Sequence, residues 1–297
     1  HKKNNELGRN SLVVESIKIT KKVNPKFFIF ENVRAFLNTI CTDIDGKDKP
    51  IQEAIKLILG VHYNILFKIV NFKDYGSNSS RTRTLVIGVR KDLQNISPYD
   101  IFPNKQKPKK LRNLFDELPK LNKMGQISET DIFHSFREYD KKMLPWIENL
   151  KQGQSAFENE DHTKIPHRII DGIIVYNKNK NGDKYARWYW DKEGPCVHTR
   201  NDILSSQNTI HPEENRVFSI RELMLMMSIP SSFQWTYEPT ERLNNYSQLE
   251  KKVFLKKEEL NIRHCIGEAV PTGVFENIAK KIKEVVNQKF LSTTEIN

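Results

Sequence analysis

The run Phe27-Phe28-Ile29-Phe30 constrains this chain most: it follows Asn24-Pro25 and leads directly into Glu31-Asn32-Val33. An uninterrupted apolar run between a breaker and polar residues has no solvated face. It predicts a short buried strand, of the kind found in parallel sheets. Ligands of open α/β sheets bind at the carboxyl ends of such strands, so Glu31 is either a functional carboxylate or a loop residue capping something local. The flanks fit an α/β rhythm. Residues 10–22 predict a helix, with Leu12, Ser16 and Ile19 on one side and Val13 and Ile17 beside them. Ile51, Ala54, Ile55, Ile58 and Leu59 mark one face of a second helix, ended by Gly60. Residues 65–72 and 84–89 predict strands close enough to pair antiparallel.

Beyond Lys91 the pattern changes. Pro98, Pro103, Pro108, Pro119, Pro145, Pro166 and Pro195 punctuate residues 92–212, with strand-like stretches only at 169–176 and 185–190. Helical order returns at Ser219-Ile220-Arg221-Glu222, which has capping-box spacing. Ile220, Leu223, Met224 and Met227 line that helix until Pro230, and a last helix from Pro271 carries Val274, Ile278, Ile282 and Val285. Three regions follow: 1–91, an irregular module at 92–212, and C-terminal helices at 213–297.

With 37% hydrophobic and 29% charged residues, the 297-residue chain can bury a core and is not a disordered tail. No apolar run approaches the ~18–20 residues of a membrane-spanning helix. The 3 cysteines do not make a disulfide scaffold and fit a reducing cytosol. No metal is expected. Lys and Arg total 48 against 37 Asp and Glu, a net charge of +11. That excess is either a solvated lysine surface or the mark of a polyanionic partner. Lys105, Lys107, Lys109, Lys110 and Arg112, continuing to Lys120 and Lys123, concentrate it in the irregular module.

Two further segments carry chemistry. Tyr75-Gly76 precedes Ser80-Arg81-Thr82-Arg83-Thr84, where arginines two residues apart point the same way on an extended chain. Their guanidinium forks suit carbonyl or phosphate oxygens, the alternative being a plain surface pair. His264-Cys265-Ile266-Gly267-Glu268-Ala269-Val270-Pro271 reads as a small-residue turn feeding a helix N-terminus.

In this order the segments resemble the bacterial-type DNA cytosine-5 methyltransferases. That family has a P-x-x-x-x-x-E-N-V strand and loop, then a tyrosine-glycine before an R-x-R strand start. After a variable recognition region come an R-x-[LF]-[ST]-x-R-E-L helix and G-N-x-V-P. Here these are Pro25 with Phe27 to Val33, Tyr75-Gly76 with Arg81-Thr82-Arg83, Arg216 to Leu223 with Pro230, and Gly267 to Pro271. Gly8-Arg9-Asn10-Ser11-Leu12 resembles the segment preceding the E-N-V strand.

The resemblance implies a partial Rossmann-like, S-adenosylmethionine-dependent methyltransferase domain with an inserted target-recognition domain. It implies methyl transfer to C5 of a cytosine flipped out of duplex DNA, within a restriction–modification system. A cysteine thiolate adds to C6 in that chemistry, and a carboxylic acid near N3 stabilises the adduct. Glu31 inherits the acid role and Asn32 holds the loop. Arg83 reaches the cytosine O2 edge with Arg81 beside it, while Gly267, Glu268, Ala269 and Val270 help close the cofactor pocket. Of the basic residues, Lys105, Lys107, Lys109, Lys110 and Arg112 are candidate phosphate contacts. Arg168, Arg187 and Arg200 are candidate base readers. Tyr185, Trp188 and Trp190 read as module core.

Two positions depart from the family pattern: Ser79 stands where glutamine is usual, and Glu268 where asparagine is usual. The F-x-G-x-G turn and P-C-Q loop do not occur in these 297 residues, and family order would put both before His1. Thiolate and most of the cofactor site are therefore expected from upstream sequence or a second polypeptide, with this chain inactive alone. Cys196 follows Pro195 but lies where the recognition region rejoins the helix bearing Glu222, and Cys41 and Cys265 read as structural thiols. The alternatives are a DNA-binding specificity subunit or decayed fragment without chemistry, and an RNA cytosine-5 methyltransferase. The long recognition region favours DNA.

Overall fold

The computed structural model describes residues 2–178 and 182–290. The chain opens with α1 (Lys2–Val23), β1 (Phe27–Val33), β2 (Ile40–Thr42), β3 (Asp48–Pro50) and α2 (Ile51–Leu59). Strands β4 (Tyr63–Asn71) and β5 (Thr82–Arg90) follow. Next are α3 (Leu111–Leu114), α4 (Leu144–Ile147), β6 (His167–Ile170) and β7 (Ile173–Tyr176). The chain then runs through α5 (Ile220–Met226), α6 (Thr240–Asn244), α7 (Gln248–Glu268) and α8 (Thr272–Phe290). It divides into two compact units, one of residues 1–75, 82–105 and 274–297, the other of residues 76–81 and 106–273.

In the first unit, β1, β5 and β4 form a sheet in that order, and both pairings are antiparallel. The expectation of parallel pairing for β1 is therefore corrected, but the reason for its apolar run survives. Phe28 and Phe30 join Val14, Ile17, Ala54 and Ile55 in one cluster, and Phe27 and Ile29 join Ile87, Val89, Ile96 and Val285 in another. Two-sided cover, rather than parallel pairing, removes polar residues from the strand. The first helix begins well before residue 10, and its buried side is Val14, Ile17 and Thr20. Leu12 and Ile19, expected inward, are exposed. Asn24 ends the helix at φ 47°, a left-handed position that asparagine tolerates.

Gly88 lies opposite Phe28, and a Cβ there would sit 1.9 Å from the Phe28 ring. The ring occupies the space that any side chain at 88 would need.

The second unit is held by a cluster in which Leu111, Phe115, Phe133 and Val197 pack with Phe218, Leu223, Met224, Leu255, Ile262 and Ile266. The expected division after residue 212 thus falls inside one packed body, because α5 and α7 share a core with the segments before them. A second cluster gathers Trp146, Ile147, Tyr185, Leu204, Ile210 and Val217. Tyr185 is buried and Trp188 and Trp190 are partly buried against core. The stretch 185–190 forms isolated bridges to 155 and 210 rather than a strand, since single residues alternate between neighbours. The stretch 169–176 is a hairpin, not one strand, turning at Asp171 (φ 50°) and Gly172 (φ 78°). That is the hairpin geometry Asp-Gly favours. Helix α7 begins with a capping box between Ser247 and Glu250 that sequence reading passed over.

The R-x-F-S-x-R-E segment is structural in this unit. Arg216 donates to both Glu222 carboxylate oxygens, at 2.8 and 2.7 Å, with both groups deeply buried, and to the partly covered Glu214 at 2.7 Å. Ser219 caps α5 through Glu222 as the spacing predicts. Burial pushes the Glu222 carboxyl up, but the Arg216 charge and hydrogen bonds outweigh it and hold the carboxyl at about 2. His211 Nδ1 accepts the N–H groups of Glu213 and Glu214, so its proton sits on Nε2, 3.6 Å from Glu222. Burial is the main cause that brings His211 down to about 3, with Glu222 opposing.

This packing is open to two tests. Gly88→Ala should destabilise the chain by about 1–3 kcal/mol in urea unfolding, and Phe28→Leu in that background should restore part of the loss. A neutral effect of Gly88→Ala contradicts the ring contact. Unfolded histidine takes up a proton below about pH 6.5, whereas folded His211 stays neutral to about 3, so stability falls as pH drops through that window. The urea midpoint, followed by Trp190 fluorescence 5.0 Å from the His211 ring, should decline between about pH 6 and 4. His211→Asn, which keeps the Nδ1-like acceptor, should flatten the decline. An equally steep profile in the variant assigns it elsewhere.

Candidate active site

Antiparallel register builds the catalytic candidate. Glu31 lies opposite Leu85 and Val33 opposite Arg83, so Glu31 and Arg83 are diagonal neighbours on one face of the β1–β5 pair. Arg83 Nε approaches Glu31 Oε1 at 3.1 Å, and both side chains are largely but not wholly covered. Arg83 also donates to the Thr82 carbonyl at 2.8 Å, which fixes its reach. Asn32 projects from the opposite face, and its Oδ1 accepts the Val33 N–H at 2.8 Å. That bond joins adjacent residues at the end of β1. The buried Thr84 hydroxyl lies 3.3 Å from the Val33 carbonyl and 3.4 Å from that of Arg34. Sequence reasoning missed Thr84, because strand alternation gives its face but not its register opposite Asn32.

Arg81 belongs to the second unit, where it is buried and donates to the Val197 carbonyl at 2.8 Å. The two arginines were expected to converge on one target, but each has its own partner in its own unit.

Residues 267–270 are not a turn. Gly267 and Glu268 end α7, and a Cβ on Gly267 would lie 2.5 Å from the His198 carbonyl. Gly267 serves close packing of a helix against chain. Glu268 is 65% exposed and pairs with His264 at 3.2 Å, while Ala269 and Val270 are partly covered. Gly267 is closed off by backbone and Glu268 points to solvent, and no step is assigned to them. Cys41 is buried, and burial pushes its thiol up. Cys265 is exposed, which corrects its reading as a structural thiol, and Cys196 is half-buried.

The basic candidates separate by burial. Lys105, Lys107, Lys109 and Lys110 are exposed or nearly so. Arg112 is exposed too, paired with Asp191 at 3.0 Å, and Arg168 and Arg200 project outward, the latter to Asp202 at 2.9 Å. Arg187 is buried and donates to the carbonyls of His211, Glu214 and Ile147, so it is an internal strut and not on a DNA-facing surface. Among the described residues no helix is long and apolar enough to cross a membrane, and no cluster of three metal-ligating side chains occurs.

With this geometry established, known proteins supply the context. The family model for C-5 cytosine-specific DNA methylase matches residues 1–284. The chain is 28% identical over 292 residues to Type II methyltransferase M1.HgaI of Avibacterium volantium, covering 93% of this chain and 71% of that protein. It is 36% identical over 289 residues to Type II methyltransferase M.FnuDI of Fusobacterium nucleatum, covering 95% and 71%. A solved structure from E. coli, described as a prophage-encoded DNA modification methyltransferase, shares the fold. Its TM-score is 0.60 at 17% identity, over 94% of this chain and 75% of that one. The chain therefore belongs to the C-5 cytosine-specific DNA methylases, which take methyl from S-adenosylmethionine.

Proposed function

We propose that this chain supplies the base-holding and DNA-reading parts of a cytosine-5 methyltransferase acting on a specific duplex site in a restriction–modification system. The observation that carries this reading is the Glu31–Arg83 pair on one sheet face. A carboxyl and a guanidinium about one hydrogen bond apart match the N3 and O2 positions on a pyrimidine edge. With cytosine seated there, Glu31 holds a proton at N3 and Arg83 turns its fork toward O2. Both interactions draw electron density from the ring and make C6 receptive to a thiolate. Asn32 and Thr84 keep the turn after Glu31 from moving under that load.

The cover over this ion pair also selects the substrate form. A base stacked in duplex cannot reach the sheet face, so the target must be extruded. The exposed lysines from 105 to 110 suit phosphates, and Arg168 and Arg200 remain the candidates for base edges. Thiolate and cofactor cradle are to come from a polypeptide segment bearing F-x-G-x-G and P-C-Q sequences, which these 297 residues do not contain.

The 297-residue chain incubated with labelled S-adenosylmethionine and duplex DNA should transfer no methyl, and adding a polypeptide with those two motifs should restore transfer. Robust labelling by the chain alone overturns the need for a complement. In the restored enzyme, Glu31→Gln should cut kcat by about 100-fold or more while DNA affinity changes little. Equal losses in turnover and affinity would remove Glu31 from the chemistry.

A further inference from the structure

The segment Ser77-Asn78-Ser79-Ser80-Arg81 holds more than the first arginine of the pair. We propose that Asn78 and Ser79 are positioning residues that link the basic segment at Lys109 to the start of β5, and so to Arg83. This inference rests on the reading of that basic segment as a DNA contact.

The segment is clasped within the second unit by bonds from three directions. Asn78 Oδ1 accepts the Lys109 N–H at 2.9 Å, and Asn78 Nδ2 donates to the Leu225 carbonyl at 3.2 Å. Its backbone N–H donates to the Met226 carbonyl at 3.0 Å, at the end of α5. Its carbonyl accepts the Gly194 N–H at 2.8 Å, and Ser80 N–H donates to the Gly194 carbonyl at 2.9 Å. Ser79, fully buried, donates its hydroxyl to the Pro195 carbonyl at 2.8 Å. The approach is close enough that a Cβ on Gly194 would meet Met226 Sδ at 2.3 Å and the Asn78 carbonyl at 3.1 Å.

These bonds are what the departure from the family pattern at position 79 supplies here. Ser79 is fully buried, its hydroxyl on the Pro195 carbonyl and its own N–H on the Ser77 hydroxyl, so a longer glutamine amide would have to displace these partners. The serine gives up that reach and fastens the loop to the chain segment returning from the recognition region. Two residues later Arg81 is fixed to Val197, and at Thr82 the backbone enters β5 and the first unit. Arg83 is the next residue along. A displacement of Lys109 on phosphate binding is thereby passed to Arg83 through the Asn78 side-chain amide and the backbone of residues 78–82.

Hydrogen exchange of the chain, read by mass spectrometry with and without a mixed-sequence duplex DNA oligonucleotide, tests this directly. DNA should slow exchange across residues 82–85 by about tenfold in the unmodified chain. Asn78→Ala should abolish that slowing while DNA affinity stays within about threefold. Ser79→Ala removes only one hydroxyl and should reduce the slowing in a chain whose melting midpoint shows it folded. In the complemented enzyme both variants should lower kcat more than they raise KM for DNA. Slowing that persists in both variants, or that never appears although DNA binds, overturns the link. If DNA does not bind the unmodified chain, the reading of the basic segment fails and the link fails with it.

Discussion

The antiparallel register of β1 on β5 is the constraint on which the candidate site depends. Glu31 faces Leu85 and Val33 faces Arg83, so carboxylate and guanidinium share a face and a diagonal. A slip of one residue would turn Glu31 to the opposite face and separate the pair. The register is held from both sides of the sheet. Phe28 and Phe30 are anchored against α1 and α2, Phe27 and Ile29 against the segment around Ile96 and against α8, and the Phe28 ring covers Gly88. The same apolar run that predicts a strand thus fixes the geometry of the two charged groups beyond its end.

The second unit reaches compactness by other means. It has few regular elements, and its irregular stretches are pinned by buried arginines. Arg216 holds Glu214 and Glu222, Arg187 holds three carbonyls, and Arg263 holds Glu259 at 2.8 Å and the Phe218 carbonyl at 2.9 Å. Each guanidinium supplies several donors in a fixed fork, which suits loops whose carbonyls have no ladder to join. Breaking such a pair leaves an uncompensated charge in the interior, so these residues specify one arrangement of the loops. Of these three, Arg216 and Arg263 are neutralised by buried or partly covered glutamates, whereas Arg187 bonds to carbonyls and so keeps one positive charge inside the molecule.

Much of the candidate face was legible in the sequence because it depends on local order. Phe27 to Val33 and Thr82 to Arg83 are contiguous, and strand alternation determines where their side chains go. The capping box at Ser219 was legible for the same reason. Parallel pairing was the wrong inference because an apolar run reports cover on two faces and says nothing about the direction of its neighbour. The inward face of α1 was misplaced because Ser16 and Thr20 satisfy their hydroxyls on backbone carbonyls one turn back, Ser16 on Leu12 and Thr20 on Ser16. That lets Thr20, a polar residue, sit on the buried side. Arg187 and Gly267 were not legible as structural residues. Their partners, the carbonyls near 147 and 211 and the backbone at 198, are far away in sequence. Helix α7 carried its signal at Ser247 and Glu250, but its exposed Leu249, Val253 and Leu260 blur the periodicity.

The central claim is that Glu31 and Arg83 act on one base as a unit. A double-mutant cycle on kcat tests it, using Glu31→Gln, Arg83→Met and the double variant in enzyme complemented with the cysteine-bearing segment. The account predicts that the double variant loses little more than the more damaging single, a coupling of more than about 1 kcal/mol. Losses that simply add would mean that the two groups serve the reaction separately, and would contradict the shared face.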